Sequence, residues 1–137
     1  SAAPSGTVRP VAPIGEAPED YGQWTCTEEL WPIGHPMVGR ACYALGTSVR
    51  VKGIFSGISG VKANIEVAVE NVDTGKTAAG PFRCPDRRFT DTVQQHTCGP
   101  YTVSLPRGRY RVVGRWVYTD VDQITPPGSV VGSPFDW

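Results

Sequence analysis

The sequence predicts an all-β protein, an antiparallel β-sandwich of short strands held by two disulfides, on three observations. Glycine and proline number 16 and 13, together 29 of 137 residues, enough to break helices repeatedly. From Ala41 onward apolar and polar residues alternate with a period close to two, which sets one face of each segment in a core and the other in water. The four cysteines, Cys26, Cys42, Cys84 and Cys98, form an even set without a Cys-x-x-Cys knuckle, so disulfides are expected rather than a metal or redox motif.

The elements follow in chain order. Pro4, Pro10, Pro13 and Pro18 each remove a backbone donor and fix φ, so residues 1–23 are expected to form an extended arm ahead of the domain, residues 24–137. Val8, Val11 and Ile14 recur every third residue, the period of polyproline II, and would line one apolar edge. Ala41–Leu45 and Ser48–Phe55 open the strand series, with Gly53 expected to mark a bulge where the alternation slips toward Ile54. Gly57, Ser59 and Gly60 make a turn. Val61–Val72 is the clearest strand, apolar at nearly every odd position. Asp73-Thr74-Gly75 then reads as a hairpin loop into Lys76–Cys84, which Pro81 confines to a sheet edge.

Phe89–Thr97 is a further expected strand. Tyr101–Leu105 alternates cleanly and is expected to turn at Pro106-Arg107-Gly108 and pair with Arg109–Tyr118. In that last strand Tyr110, Val112, Gly114, Trp116 and Tyr118 share a face, predicted to be the buried one. Seven strands in ~100 residues indicate a sandwich of the immunoglobulin or fibronectin type, without the Cys...Trp...Cys spacing of a true immunoglobulin domain. Asp120–Trp137 has no period and reads as an irregular tail pinned by Phe135 and Trp137.

Four cysteines allow three pairings, and short separations favour Cys26 with Cys42 and Cys84 with Cys98, each contributing ~3 kcal/mol in the chain-entropy picture. Persistent disulfides imply an oxidising compartment, so a secreted, extracellular protein is expected. Ser1–Gly6, small and flexible, fits the residues that follow a removed export signal. Arginine in excess of lysine, with abundant Ala, Gly, Val and Pro, suggests a GC-rich bacterial source.

The chemistry expected of this chain is recognition, not catalysis. Thirteen Lys+Arg balance thirteen Asp+Glu, so no net field draws in nucleic acid or acidic membranes, and neither is an expected partner. No stretch approaches the ~18 consecutive apolar residues of a transmembrane helix. His-Glu-x-x-His, Gly-x-Ser-x-Gly, Walker and Gly-x-Gly-x-x-Gly signatures are absent, and no cofactor is expected. His35 and His96 stand alone in loops and are read as facing solvent, without a metal. Glu19-Asp20, Glu28-Glu29 and Asp120 with Asp122 lack calcium-loop spacing and read as surface charge. Trp24 and Trp31 flank Cys26 in a loop-rich stretch and are candidate partner-binding residues with Val8, Val11 and Ile14. With Trp116, Trp137, Tyr21 and Tyr43 they also offer a carbohydrate-stacking alternative.

Two resemblances bear on function. A segment bounded by Cys84 and Cys98 that presents Arg87 or Arg88 is similar in plan to secreted bacterial subtilisin inhibitors, although the second cysteine spacing departs from that family; a protease inhibitor is the alternative reading. A small two-disulfide β domain behind a proline-bearing arm resembles the adaptor subunit of secreted actinobacterial umbrella toxin particles, on Thr7–Ile14 and Trp24–Tyr118. That resemblance implies an arm inserted into a repeat-containing spoke of a large toxin subunit, a domain carrying a lectin-like subunit, and no catalytic residues. The expected function is a non-catalytic secreted adaptor that joins other secreted proteins.

Overall fold

The structure, a computed structural model, describes residues 23–120 and 125–137. Val8, Val11, Ile14, Tyr21 and Asp122 lie outside the described residues, and of the expected arm only Gln23 is among them. Nine strands follow in order: β1 (Thr25–Cys26), β2 (Met37–Leu45), β3 (Val49–Gly57), β4 (Lys62–Asn71), β5 (Thr77–Arg88), β6 (Gln95–Val103), β7 (Arg109–Tyr118), β8 (Gly128–Val131) and β9 (Phe135–Asp136). They make two antiparallel sheets, β1-β2-β3-β6 facing β5-β4-β7-β8, with β9 on the free end of β7. The chain crosses between sheets after β3, β5 and β6, a Greek-key sandwich of the predicted kind.

The alternation carries the packing. Val49, Val51 and Phe55 of β3 meet Ala63, Ile65, Val67 and Val69 of β4 and Tyr110, Val112 and Trp116 of β7 in one core. Large rings are accommodated by glycines. A Cβ at Gly53 would come within 2.7 Å of the Phe55 ring, and one at Gly57 within 2.8 Å of Phe89. At Gly128 a Cβ would overlap the Trp116 indole, so only glycine lets β8 lie against β7 there.

The two disulfides take different positions. Cys26 and Cys42 are cross-strand partners, Cα atoms 4.1 Å apart, so this bridge holds two-residue β1 onto β2. Cys84 and Cys98 join β5 to β6, edge strands of opposite sheets, beside a stack of Phe82 on Tyr101 with centroids 4.4 Å apart. That flank is closed covalently. β5 lies at an edge, as Pro81 requires.

The outer face of the second sheet holds a charge ladder. Arg83 reaches Glu66 at 3.5 Å, Arg115 bridges Glu66 at 3.7 Å and Glu70 at 2.8 Å, and Arg111 meets Glu70 at 3.0 Å. Burial pushes the Glu70 carboxyl up, but hydrogen bonds and charge from Arg115 and Arg111 outweigh it and hold the group below its ordinary value.

Several expectations are corrected. Tyr101–Leu105 and Arg109–Tyr118 do not form a hairpin, because β6 pairs with β3 and β7 with β4. The corner between them is a sheet crossing, and the Tyr110 hydroxyl donates to the Pro106 carbonyl at 2.7 Å, the tyrosine corner of such sandwiches. Phe89–Thr97 is not a strand as a unit: β5 runs on to Arg88, residues 89–94 are loop, and β6 begins at Gln95 and continues through Gly99-Pro100 to Val103. The bulge belongs to β6, since two steps of β3 from Val51 to Gly53 face three of β6 from Tyr101 to Cys98. β3 itself keeps its alternation, with Gly53 and Phe55 both inward. The stretch read as an irregular tail contains β8 and β9, whose Phe135 is buried and whose end is tied by mutual Gly108–Trp137 backbone bonds.

Candidate functional site

Four connections gather at one end of the sandwich: residues 27–36 between β1 and β2, 58–61 between β3 and β4, 89–94 between β5 and β6, and the described residues 119–120 and 125–127 between β7 and β8. The first is braced at both feet. Behind the Cys26–Cys42 bridge, Thr27 exchanges bonds with Ala41, its N–H donating to the Ala41 carbonyl at 3.1 Å and its hydroxyl accepting from the Ala41 N–H at 3.0 Å. Arg40 Nε adds a bond to the Thr27 carbonyl at 3.0 Å.

At the other foot His35 is not a solvent-facing residue, and the expectation for it is corrected. Its Nδ1 lies 2.9 Å from the Tyr118 hydroxyl and its ring stands edge-on to Trp116. Tyr118 oxygen accepts from Trp116 Nε1 at 3.0 Å and from the Met37 N–H, which leaves its own proton for His35 Nδ1. Burial raises the Tyr118 hydroxyl pKa, partly offset by those two donors. Polar atoms that would otherwise be stranded under the loop are thereby paired.

The braced loop turns its apolar residues outward. Leu30 is 72% exposed, Trp31 45% and Ile33 fully so, and Ile58 and Val93 on the next two loops, at 58% and 43%, share a groove with Trp31. Those loops are sewn together by backbone bonds: Ile58 to Pro36, Gly57 to Gln94 and Gly60 to Phe89. His96 Nε2 packs under them at 2.7 Å from the Arg88 carbonyl, its ring edge-on to Phe89. It too is half-buried, which corrects the reading of it as solvent-facing. Between the loops runs an open groove of about 760 Å³, lined by Glu29, Trp31, Ile58, Val93 and the amides of Gln94 and Gln95. Such a lining offers apolar contact and the hydrogen bonding of two amides and one carboxylate. Among the described residues no group of three His, Cys, Asp or Glu could hold a metal ion.

The expected partner residues do not share one surface. Trp31 lies in the groove, whereas Trp24 sits against the middle of β3, its ring 4.1 Å from Lys52 Nζ and 5.8 Å from the Arg50 guanidinium. Trp116 is buried, Tyr43 stacks on Phe135, and Trp137 packs on the core, so these rings form no joint platform. Arg87 and Arg88 belong to β5, paired with Ala63 and Lys62, and Arg87 folds back to the Pro85 carbonyl at 2.8 Å. Leu30, Ile33, Ile58 and Val93 were missed from sequence. Their one local signal is an aliphatic residue in a stretch of turn formers, and only the fold brings Ile58 and Val93 to Trp31.

No helix among the described residues is long and apolar enough to cross a membrane. In comparisons with known proteins, no family model, no curated protein and no solved structure matches the chain.

Proposed function

We propose that the protein is a non-catalytic extracellular adaptor that takes one protein partner on the loop end around Trp31 and another on residues 7–14 through Val8, Val11 and Ile14. The observation that carries this reading is the groove that Trp31, Ile58 and Val93 line together, exposed on loops that hydrogen bonds and a disulfide hold in place. Exposed apolar residues gathered in one patch on a rigid support suit protein recognition, and an aromatic anchor at its centre supplies most of the affinity in such interfaces. Preformed loops lower the ordering cost of binding. Two disulfides fit an oxidising setting. In an umbrella-type toxin particle the loop end would hold the lectin-like subunit and the arm the large scaffold.

The test is copurification of the intact chain from culture supernatant against two variants. Deleting residues 1–20 should remove one partner and spare the other, and Trp31→Ser with Ile33→Ser should do the reverse. Undiminished recovery of every partner by both variants overturns the adaptor reading.

A further inference from the structure

The loops around Trp31 differ in charge from those at the opposite end of the sandwich. Their described residues carry Glu28, Glu29, Asp91 and Asp120 and no lysine or arginine, whereas the opposite loops mix Asp73 with Lys76 and Arg107. Glu28, Glu29 and Asp91 are exposed and form no salt bridge among the described residues, where the carboxylates that do are Glu66 and Glu70 on β4. Lys62 and Arg88 stand at adjoining strand ends, but neither lines the groove, and the charged residue that does is Glu29. A basic partner would be drawn to this end and a basic side chain seated in the groove.

The uncharged groups of the groove favour the same occupant. Gln94 Nε2 donates to the Asp91 carbonyl at 3.2 Å and Gln95 Nε2 to the Ser56 hydroxyl at 3.5 Å, while neither Oε1 has a hydrogen bond among the described residues. With the Glu29 carboxylate, which can only accept, the unspent capacity of the groove is weighted toward acceptors. The Trp31 indole is half-exposed and no other ring lies against it among the described residues. An open indole face attracts a cation, a planar guanidinium above all. Ile58 and Val93 add aliphatic surface for an apolar stem. We propose that the groove takes an arginine side chain of the protein partner, its guanidinium between Glu29, the Gln94 and Gln95 oxygens and the Trp31 ring, with the next aliphatic residue of the partner on Ile58 and Val93. This names the chemistry of the partner and rests on the reading of the loop end as a binding surface.

Titration of the full chain with two blocked dipeptides, followed by NMR, tests this: acetyl-arginyl-leucine amide and its citrulline counterpart, which keeps the shape of arginine and removes the charge. The arginine peptide should shift the Trp31 indole N–H and the Ile58 and Val93 methyl resonances, and the citrulline peptide should bind about fivefold more weakly. Glu29→Gln should cost the arginine peptide about fivefold and leave the citrulline peptide unchanged. Glu29→Lys should abolish binding of the arginine peptide and admit acetyl-glutamyl-leucine amide in its place. Unchanged β3 and β6 amide shifts report that each variant is folded. Equal binding of the arginine and citrulline peptides, binding indifferent to Glu29→Gln, or no shift at Trp31 overturns the proposal. The adaptor reading fails separately. A supernatant partner lost by Trp31→Ser with Ile33→Ser but recovered in full by Glu29→Gln keeps that reading and overturns the arginine site.

Discussion

The two ends of the sandwich are built from similar material and use it in opposite ways. At one end the connections are tight. Gly46 bonds to Ser48 across the β2–β3 turn, Asn71 caps the β4–β5 turn through the N–H groups of Asp73 and Thr74, and Tyr110 closes the β6–β7 corner on Pro106. Aromatic residues there point inward, with Phe135 buried, stacked on Tyr43 and next to Tyr110. At the other end the polar groups, His35, Tyr118 and Trp116 Nε1, turn inward to pair, and the aliphatic and indole surfaces are left facing water. Apolar area spent on closing an end stabilises the domain; the same area on braced loops stabilises only a complex.

The contrast can be broken most forcefully at the closed end. Phe135→Ala should cost about 3 to 5 kcal/mol in urea unfolding, because it empties a buried ring site and releases β9. Glu70→Gln, beside the Asn71 turn, should cost about 1 kcal/mol at neutral pH through its lost charge-assisted bonds to Arg111 and Arg115. Because the folded carboxyl lies below its ordinary 4.5, that stabilisation is complete above the unfolded value and disappears as pH falls through the folded one. The gap between parent and variant should therefore close in acid unfolding curves. Tyr110→Phe should also cost about 1 kcal/mol in urea unfolding, since only the hydrogen bond to Pro106 is lost. Trp31→Ala with Ile33→Ala should change stability by less than about 0.5 kcal/mol at the open end, with partner binding lost. A large stability loss from that pair would erase the distinction between the ends.

Legibility from sequence followed the same division. β4 and β7 were readable because every second residue, Ala63 to Val69 and Tyr110 to Tyr118, is non-polar or aromatic, a period that the out-of-phase Ala68 and Val113 do not hide. The disulfide pairing followed from separations of 16 and 14 residues. β6 was split in two because Gly99-Pro100 interrupts its period, and short β8 and β9 hold too few residues for any period to show. The β6–β7 corner looked like a hairpin since turn chemistry is local, whereas the choice of sheet is settled by distant pairings of β3 and β4. At the binding surface Trp31 could be singled out alone. Ile58 and Val93 join it only through the pairing of β3 with β2 and β6, and Trp24 leaves it because Lys52 draws its ring onto β3.

The covalent tie of β1 to β2 has a mechanical consequence. A two-residue strand resists little load by its own hydrogen bonds, and traction on the leading peptide would peel it away. Cys26 stops that unzipping one residue after Thr25 and hands the force to β2, which nine registered residue pairs anchor to β3. Strain arriving from the front of the chain is thus spread through a sheet as shear, and the loops at the far end need not yield.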